Sequence, residues 1–447
     1  SRYACFVMAV HATDSIPLLE KARSARQAAS RLSSLETETK NRLLGAVAQA
    51  LEDAAAEIIA ANETDLERAR TEGVAAPLVK RLAFDRKKLD QVVRGLADIA
   101  ALPDPVGRLL SARELDKGLE LYRKSYPLGV IGMVFESRPD ALVQMAGLCL
   151  KSGNAVLLKG GREALETNRV LARVIGEATR GGGLDAGWIH LLETRQDVTD
   201  MLALSDYIDL VVPRGSQEFV RHIMANTIIP VLGHADGVCH AYLDATADVR
   251  QATEVITDAK TQYVAVCNAI ETLLVHADAA RDALPAVSAA LGEKGVKLRG
   301  CPRTREILPD VEEASESDWS AEYLDYVLAV RIVDSLEEAI DHINRYGSHH
   351  TDVILSSDKQ AASAFMDRVD SASVMWNCST RFADGFRYGL GAEVGISTSK
   401  LHARGPVGLE GLVTYKWLLY GSGQAVADYS GENARPFTHK PIRVDDA

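Results

Sequence analysis

The sequence has no Cys-X-X-Cys pair, although it contains six cysteines among 447 residues. A disulfide framework and a zinc ribbon are therefore both unexpected, and a reducing, cytoplasmic setting is the simpler interpretation. No apolar run reaches about 18 residues, so no membrane span is predicted. Basic residues are in deficit, with a net charge of −12. This balance argues against a whole surface that binds nucleic acid or an anionic membrane.

Two nucleotide-binding motifs are also missing. No GxGxxG follows a predicted strand and no GxxxxGKS/T occurs, so neither a conventional Rossmann fingerprint nor a P-loop is indicated. What the chain does contain, 47% hydrophobic and 25% charged residues, is ordinary for a globular protein. Its length exceeds what one compact core usually needs, so two domains are predicted.

Apolar spacing divides the chain into segments. Residues 1–14 are expected to be a tail, and residues 15–100 show helical spacing, as at Leu43, Val47 and Leu51. From residue 126 short apolar runs alternate with helical patterns, which predicts a parallel sheet wrapped by helices. The predicted strands are 128–135, 155–158, 189–192, 208–212 and 228–232 in this block, followed by 271–276 and 327–333 in a second block.

These patterns predict an α/β protein with a Rossmann-like cofactor-binding domain over residues 15–254 and an α/β catalytic domain over residues 255–410. Residues 411–447 are expected to return as a C-terminal segment. Within that segment, VTYKWLLY (413–420) is rich in aromatic and β-branched residues, which predicts a strand. This strand is a candidate for pairing with a neighbouring subunit.

Candidate cofactor-binding residues follow the predicted strand at 155–158. There, Lys159, Gly160, Gly161 and Arg162 lie where a strand turns into a helix. The two glycines let the backbone approach a phosphate or a ribose closely. A tight turn that needs glycine for its geometry alone explains the same residues equally well.

Cys267 is the candidate nucleophile. Small and apolar residues surround it in QYVAVCNAIETLL, and Asn268 provides an adjacent amide. Most cysteines in such surroundings are inert core residues. A catalytic role is favoured by VFESRPD, in which Ser137 and Arg138 are able to stabilise an oxyanion or bind a carboxylate. The competing interpretation of VFESRPD is a polar loop.

A second set of polar residues lies late in the chain. Lys400 and Arg404 occur in STSKLHARGPVG, which would suit an anionic substrate, although a solvated basic loop is the more common explanation. His350 and Thr351 occur in YGSHHTD, where histidines are concentrated. Because no HxxxH or paired-cysteine spacing provides a ligand geometry, no metal site is predicted.

Six motifs together resemble those of the gamma-glutamyl phosphate reductases, a branch of the aldehyde dehydrogenase superfamily. The resemblance extends from about residue 15 to about residue 430, and chance agreement at all six motifs is very improbable. The motifs are VFESRPDALVQMA (134–146), KSGNAVLLKGG (151–161), VPRGSQEFV (212–220), VLGHADGVCH (231–240), CNAIETLLVH (267–276) and VDSLEEAIDHINRYGSHHTDVI (333–354).

The resemblance implies a reaction that suits these residues. The thiolate of Cys267 would attack gamma-glutamyl phosphate, phosphate would leave, and NADPH would reduce the thioester to glutamate 5-semialdehyde on the route to proline. Sulfur suits this role because a thioester accepts hydride more readily than an ester or a carboxylate. The resemblance also implies an aldehyde dehydrogenase-like fold, a β-hairpin oligomerisation arm near residues 115–135, a homodimer or homotetramer, and glutamate 5-kinase as a candidate partner.

Individual residues carry over by position. Lys159 matches the superfamily lysine that contacts the adenosine ribose, and Gly215 and Ser216 match the Gly-Ser pair that faces the pyrophosphate. Glu322 matches the glutamate that holds the nicotinamide ribose. The candidate ligands for the carboxylate and phosphate of the substrate are Arg138, Lys400, Arg404, His350 and Thr351.

Three positions depart from the wider superfamily. Ser137 replaces an asparagine that helps to stabilise the oxyanion, so the backbone N–H of Cys267 is the donor expected to remain. Arg162 replaces a glutamate of many NAD-using relatives, and its charge would favour the 2′-phosphate of NADPH. Val231 replaces the glutamate that activates water in hydrolytic relatives, and an aliphatic side chain cannot accept that proton.

Three other functions stay open. An NAD(P)-dependent aldehyde oxidant of the same fold would release a free acid, and Val231 argues against it. A cysteine hydrolase or acyltransferase without a cofactor would need a base beside Cys267, and His234 or His240 would serve only if folding brought one of them close. A non-catalytic scaffold would keep the fold without activity, although the retained nucleophile and cofactor residues argue against that reading.

Overall fold

The computed structural model describes residues 17–233 and 236–443. The chain begins with helices, as the apolar spacing predicted, and the buried side chains Leu43, Val47 and Leu51 all belong to the second of them. No helix in these described ranges is long and apolar enough to cross a membrane. The helices are α1 (Leu18–Leu32), α2 (Thr37–Asp53), α3 (Ala55–Thr71), α4 (Ala76–Leu82) and α5 (Arg86–Ala101).

An antiparallel hairpin follows, formed by β1 (Leu109–Asp116) and β2 (Leu119–Pro127). Gly118, at the turn, has φ +72°, a left-handed conformation that glycine adopts without strain. The predicted arm at 115–135 was therefore placed too late. Residues 130–135 leave the hairpin and enter a parallel sheet, where their side chains are fully buried.

The first parallel sheet has the strand order β5-β4-β3-β6 and helices on its faces. Its strands agree with four of the predicted ones. The predicted strand at 228–232 is wrong, because that segment forms only one isolated bridge, between Val231 and Val211. The elements are β3 (Val130–Phe135), α6 (Pro139–Lys151), β4 (Ala155–Lys159), α7 (Leu165–Gly181), β5 (Ile189–Leu192), α8 (Arg195–Leu202), β6 (Leu210–Arg214) and α9 (Gln217–Ala225).

A second sheet of seven parallel strands has the order β10-β9-β11-β8-β7-β12-β13. The elements are β7 (Cys239–Leu243), α10 (Val249–Thr261), β8 (Ile270–His276), α11 (Ala277–Glu293), β9 (Lys297–Gly300), α12 (Pro302–Ile307), β10 (Glu312–Glu313), β11 (Val327–Val333), α13 (Leu336–Tyr346), β12 (Thr351–Leu355), α14 (Lys359–Arg368) and β13 (Ser373–Trp376). Since β7 pairs with β8 and β12, this sheet begins before the predicted boundary at residue 255.

The C-terminal segment returns to the hairpin. After a short pair, β14 (Gly395–Ser397) and β15 (Gly405–Val407), it forms β16 (Val413–Tyr420) and β17 (Lys440–Ile442), which flank the hairpin in the order β16-β2-β1-β17. The predicted strand at 413–420 is confirmed. It lies at the edge of this sheet and exposes Tyr415, Trp417, Leu419 and Tyr420. Pairing of this edge with another subunit stays a prediction.

Candidate active site

The candidate nucleophile lies in the loop that joins α10 to β8. Cys267 is partly exposed, whereas the adjacent Asn268 is buried and donates a hydrogen bond from Nδ2 to the carbonyl oxygen of Ala383, 2.9 Å away. The backbone of Gly237 passes so close that a Cβ there would lie 2.4 Å from the Cα of Cys267. Two neighbouring segments therefore contact the loop, and Cys267 as a residue is largely but not completely buried.

A buried ion pair supports the same loop. The Nζ of Lys260, in α10, lies 2.5 Å from Oε2 of Glu271, in β8, and both side chains are fully buried. Oε1 of Glu271 accepts a hydrogen bond from the backbone N–H of Leu324 at 3.1 Å. Burial raises the pKa of Glu271 to about 7 and lowers the pKa of Lys260. The pair joins the two elements that flank Cys267 to the segment that carries Glu322.

Charged groups from several segments act on the thiol. Burial is the largest effect and raises the pKa of Cys267 to about 12. The carboxylates of Glu322 and Glu393 raise it further, whereas the guanidinium of Arg214 and the backbone N–H of Cys267 favour the thiolate. The thiol is therefore protonated at neutral pH unless another group shifts the balance.

Glu322 connects the nucleophile to the first parallel sheet. Its Oε2 accepts a hydrogen bond from Nε2 of Gln217, the first residue of α9. Burial raises the pKa of Glu322 to about 7, and the backbone N–H of Gly237 opposes that shift. The predicted ribose-binding carboxylate thus lies between the N-terminus of α9 and the loop of Cys267.

The predicted cofactor-binding residues lie at one edge of the first sheet. Lys159 ends β4, Arg214 ends β6, and Gly215 and Ser216 then begin the turn into α9. Parallel strands present their carboxyl ends on the same edge, where helix N-termini attract phosphate. Lys159 is buried, its Nζ donates to the carbonyl of Gly160, and burial lowers its pKa. A dinucleotide with its phosphates toward Ser216 fits this arrangement of donors.

Two carboxylates border this edge. Oε2 of Glu136 accepts a hydrogen bond from the backbone N–H of Ser216 at 3.3 Å. Oε1 of Glu163 accepts from the backbone N–H and the Oγ of Ser137, at 2.6 Å and 2.7 Å. The hydroxyl of Ser137 is therefore directed to Glu163, and the hydrogen bonds of the described residues do not join it to the loop of Cys267. Its predicted oxyanion role stays a prediction.

The structure separates the predicted substrate ligands. Lys400 and Arg404 both form ion pairs with Asp370, with N–O distances of 2.6 Å and 3.0 Å. Their positive charge is therefore partly neutralised. The sequence analysis had not predicted a carboxylate beside them. His350 and Thr351 are buried, with Nδ1 of His350 lying 2.8 Å from the Oγ1 of Thr351. This burial below the nucleophile loop does not suit direct contact with a substrate.

Three charged residues near the nucleophile were missed by the sequence analysis. Arg214 and Arg381 both interact electrostatically with Cys267, and Glu393 with Arg214 and with Arg138. Arg138 is thus the one predicted substrate ligand that belongs to this group. For Arg214, the sequence did offer a signal, because this residue immediately precedes the Gly-Ser pair at the end of a predicted strand.

Of the two histidines considered as bases, the structure describes only His240, which pairs with Asp352. His240 is fully buried, and its Nδ1 lies 3.2 Å from Oδ1 of Asp352, also fully buried. His234 lies outside the described residues. Within residues 17–233 and 236–443, no group of three or more His, Cys, Asp or Glu side chains is arranged to hold a metal ion. The described histidines therefore offer no dyad with Cys267 for a cofactor-free hydrolase.

Comparison with known proteins identifies the class first. The model of the aldehyde dehydrogenase family matches residues 6–306. An acetylating aldehyde dehydrogenase from Geobacillus thermoglucosidasius has a TM-score of 0.62 at 16% identity, covering 91% of this chain and 97% of that one, which shows the shared fold. The predicted aldehyde dehydrogenase-like α/β fold is confirmed.

More similar proteins define the branch. The gamma-glutamyl phosphate reductase of Pelotomaculum thermopropionicum is 57% identical over 426 residues, 95% of this chain and 98% of the relative. Gamma-glutamyl phosphate reductase 1 of Synechocystis is 55% identical over 94% and 96%. The crystal structure of gamma-glutamyl phosphate reductase from Thermotoga maritima has a TM-score of 0.89 at 40% identity, covering 91% and 99%. The chain therefore belongs to the aldehyde dehydrogenase family and, within it, to the gamma-glutamyl phosphate reductases.

The protonated state of the thiol is testable by alkylation. In protein without added substrate, we expect the rate of Cys267 modification by iodoacetamide to rise about tenfold per pH unit from about pH 7 to about pH 10, because only the thiolate reacts. Burial raises the pKa of Cys267 to about 12, so no plateau is expected in this range. Mass spectrometry of the peptide that contains Cys267 measures the rate. A plateau below about pH 8 would contradict the account.

Proposed function

We propose that the protein reduces L-glutamyl 5-phosphate to L-glutamate 5-semialdehyde with NADPH, releases phosphate, and serves proline biosynthesis. The observation that carries the proposal is the position of Cys267, partly exposed and electrostatically coupled both to Glu322 and to Arg214. These two residues come from different segments, Glu322 from the loop that contacts the start of α9 and Arg214 from the end of β6. The names of the relatives support the choice of substrate.

The chemistry begins at the sulfur. The thiolate of Cys267 attacks the acyl carbon, the carbon–oxygen bond to phosphate breaks, and a thioester forms. The backbone N–H of Cys267, which already favours negative charge on its own sulfur, is a donor for the developing oxyanion. When bound, the nicotinamide cofactor supplies the hydride that reduces the thioester. Cleavage of the carbon–sulfur bond then releases the semialdehyde and returns the thiolate of Cys267.

Four residues would hold the cofactor. Lys159 offers a buried ammonium toward the ribose, and Ser216 begins the helix whose N-terminus would face the pyrophosphate. Gly215 leaves room for close approach, since a Cβ there would already lie 2.8 Å from Glu136. Glu322 accepts hydrogen bonds beside Cys267 and would orient the nicotinamide ribose. This orientation would bring the nicotinamide ring to the sulfur.

Val231 determines the fate of the thioester in this proposal. It is partly buried, packs against the hydrophobic core that includes the first parallel sheet, and forms an isolated β-bridge with Val211. No proton acceptor is available from such a side chain, so water is not activated at this position. We propose that phosphate, and not water, accepts the acyl group when the reaction runs in reverse. An aldehyde oxidant that releases a free acid is disfavoured for the same reason.

The reverse reaction tests the proposed function. With glutamate 5-semialdehyde and NADP, we expect sustained NADPH formation, measured by absorbance, only when inorganic phosphate is present; without phosphate, at most one NADPH per Cys267 should form. Cys267→Ala should abolish the activity, whereas Cys378→Ala, which changes another partly exposed cysteine, should leave it within about twofold of the original. Equal rates in phosphate-free buffer, or activity in Cys267→Ala, would refute the proposal.

The choice of NADPH depends on Arg162. Its side chain is exposed, and only its backbone carbonyl is engaged, accepting a hydrogen bond from Arg68 at 3.1 Å. The guanidinium is therefore free, among the described residues, to meet a 2′-phosphate beside the ribose. Lys159, three positions earlier in the same turn, would add a second positive charge.

Reversal of this charge tests the cofactor preference. We expect Arg162→Glu to lower the ratio of kcat/KM for NADPH to kcat/KM for NADH at least about tenfold, because a charge-assisted hydrogen bond to phosphate is lost. Arg180→Glu makes the same charge change on an exposed residue at the far end of α7 and should leave the ratio unaltered. An unchanged ratio in Arg162→Glu would contradict the assignment of NADPH specificity to this residue.

A further inference from the structure

Three arginines from separate segments are coupled electrostatically to Cys267 or to one another. Arg138 follows β3, Arg214 ends β6, and Arg381 lies in a short 3-10 turn, Thr380–Phe382, after β13. Arg214 and Arg381 each interact electrostatically with Cys267, and Arg138 with Arg214. In an acidic protein such a local concentration of guanidinium groups requires a reason.

Arg214 is largely surrounded by protein yet lacks an acceptor. None of the hydrogen bonds or ion pairs within 17–233 and 236–443 uses its guanidinium. Gly395 lies against it, since a Cβ at that position would lie 3.2 Å from Nη1 of Arg214. The carboxylate of Glu393 supplies a nearby negative charge and opposes the effect of burial. Because Arg214 is only partly exposed and its guanidinium has no acceptor among the described residues, an anionic ligand that offers oxygen acceptors would stabilise it.

The segment of Arg381 contacts both ends of the loop that carries Cys267. The Nε of Arg381 donates to Oε1 of Gln262 at 3.0 Å, just before that loop, and the carbonyl of Ala383 accepts from Asn268, just after Cys267. Its two terminal nitrogens form no hydrogen bond with any residue the structure describes. The side chain is thus oriented by one contact while two donor groups stay available. Arg387 donates to the backbone carbonyl of Arg381 at 3.1 Å and adds positive charge.

We propose that Arg214 and Arg381 bind the phosphoryl group of the acyl phosphate, and inorganic phosphate in the reverse direction. This inference rests on the proposed function and assigns its phosphate ligands. Forked guanidinium donors match phosphate oxygens in pairs, which a single ammonium cannot do. Both arginines interact electrostatically with Cys267, and the Arg381 segment contacts the loop of Cys267, so the two guanidinium groups would neutralise the leaving group where the carbon–oxygen bond breaks.

The carboxylates near the site are consistent with this role. Glu393 accepts a hydrogen bond from the backbone N–H of Gly385 at 2.8 Å, and its carboxylate interacts electrostatically with Arg214 without a direct ion pair. Glu322 is engaged by Gln217 and faces the cofactor side. The predicted ligands Lys400 and Arg404 are already paired with Asp370. Arg214 and Arg381, in contrast, interact electrostatically with Cys267.

Phosphate kinetics test the inference. In the reverse reaction with glutamate 5-semialdehyde and NADP, we expect Arg214→Gln and Arg381→Gln each to raise KM for inorganic phosphate at least about tenfold. KM for NADP should stay within about twofold. Arg214→Lys keeps the charge without the fork, so its KM should be intermediate. Arg303→Gln removes a surface arginine paired with Asp334 and should have no effect.

The outcomes separate this inference from the proposed function. The original protein is assayed first, and a lack of phosphate-dependent activity there would refute the proposed function itself. If that activity is present, unchanged KM for phosphate in both glutamine variants would overturn the inference. A higher KM for the semialdehyde with unchanged KM for phosphate would overturn it as well, since the arginines would then bind the substrate carboxylate. Should Arg214→Gln fail to fold, Arg381→Gln and Arg214→Lys decide the question.

Discussion

The buried ion pair between Lys260 and Glu271 holds together the three segments on which the site depends. Lys260 belongs to the helix before the nucleophile, Glu271 to the strand after it, and Leu324, which donates to Glu271, follows Glu322 by two residues. A buried pair of this kind is expensive to desolvate and adds little net stability by itself. Its contribution here is positional, because it holds the loop of Cys267 next to the segment that carries Glu322.

The same burial that fixes these segments also protonates the nucleophile. Desolvation and two carboxylates hold the pKa of Cys267 high, whereas Arg214 and the backbone N–H favour the thiolate. The proposed reaction therefore depends on positive charges near Cys267 that stabilise its thiolate form. The balance between these positive and negative charges determines how much of Cys267 is the reactive thiolate. This balance gives a physical reason for arginines beside the thiol of an acidic protein.

Much of the fold was accessible from local patterns, whereas part of the site was not. The glycine-containing turn after a buried strand pointed to Lys159, whereas Gly215 and Ser216 came from the family resemblance; the structure places all three at one edge of a parallel sheet, and their roles stay predictions. The strand at Cys239–Leu243 was missed, since it is short and fully buried and shows no alternation. Arg381 could not be placed, because its contact with Gln262 joins segments far apart in the chain. The ion pairs of Asp370 with Lys400 and Arg404 were not predicted for the same reason.

Direct detection of the acyl-enzyme tests the central claim. Mixing the protein with glutamate 5-semialdehyde and NADP without phosphate should leave the acyl group on the sulfur, because Val231 does not activate water. Intact-protein mass spectrometry after acid quenching should then show one glutamyl adduct, mapped to Cys267, that disappears when phosphate is added. Absence of the adduct while NADPH forms, or an equal adduct in Cys267→Ala, would contradict the account.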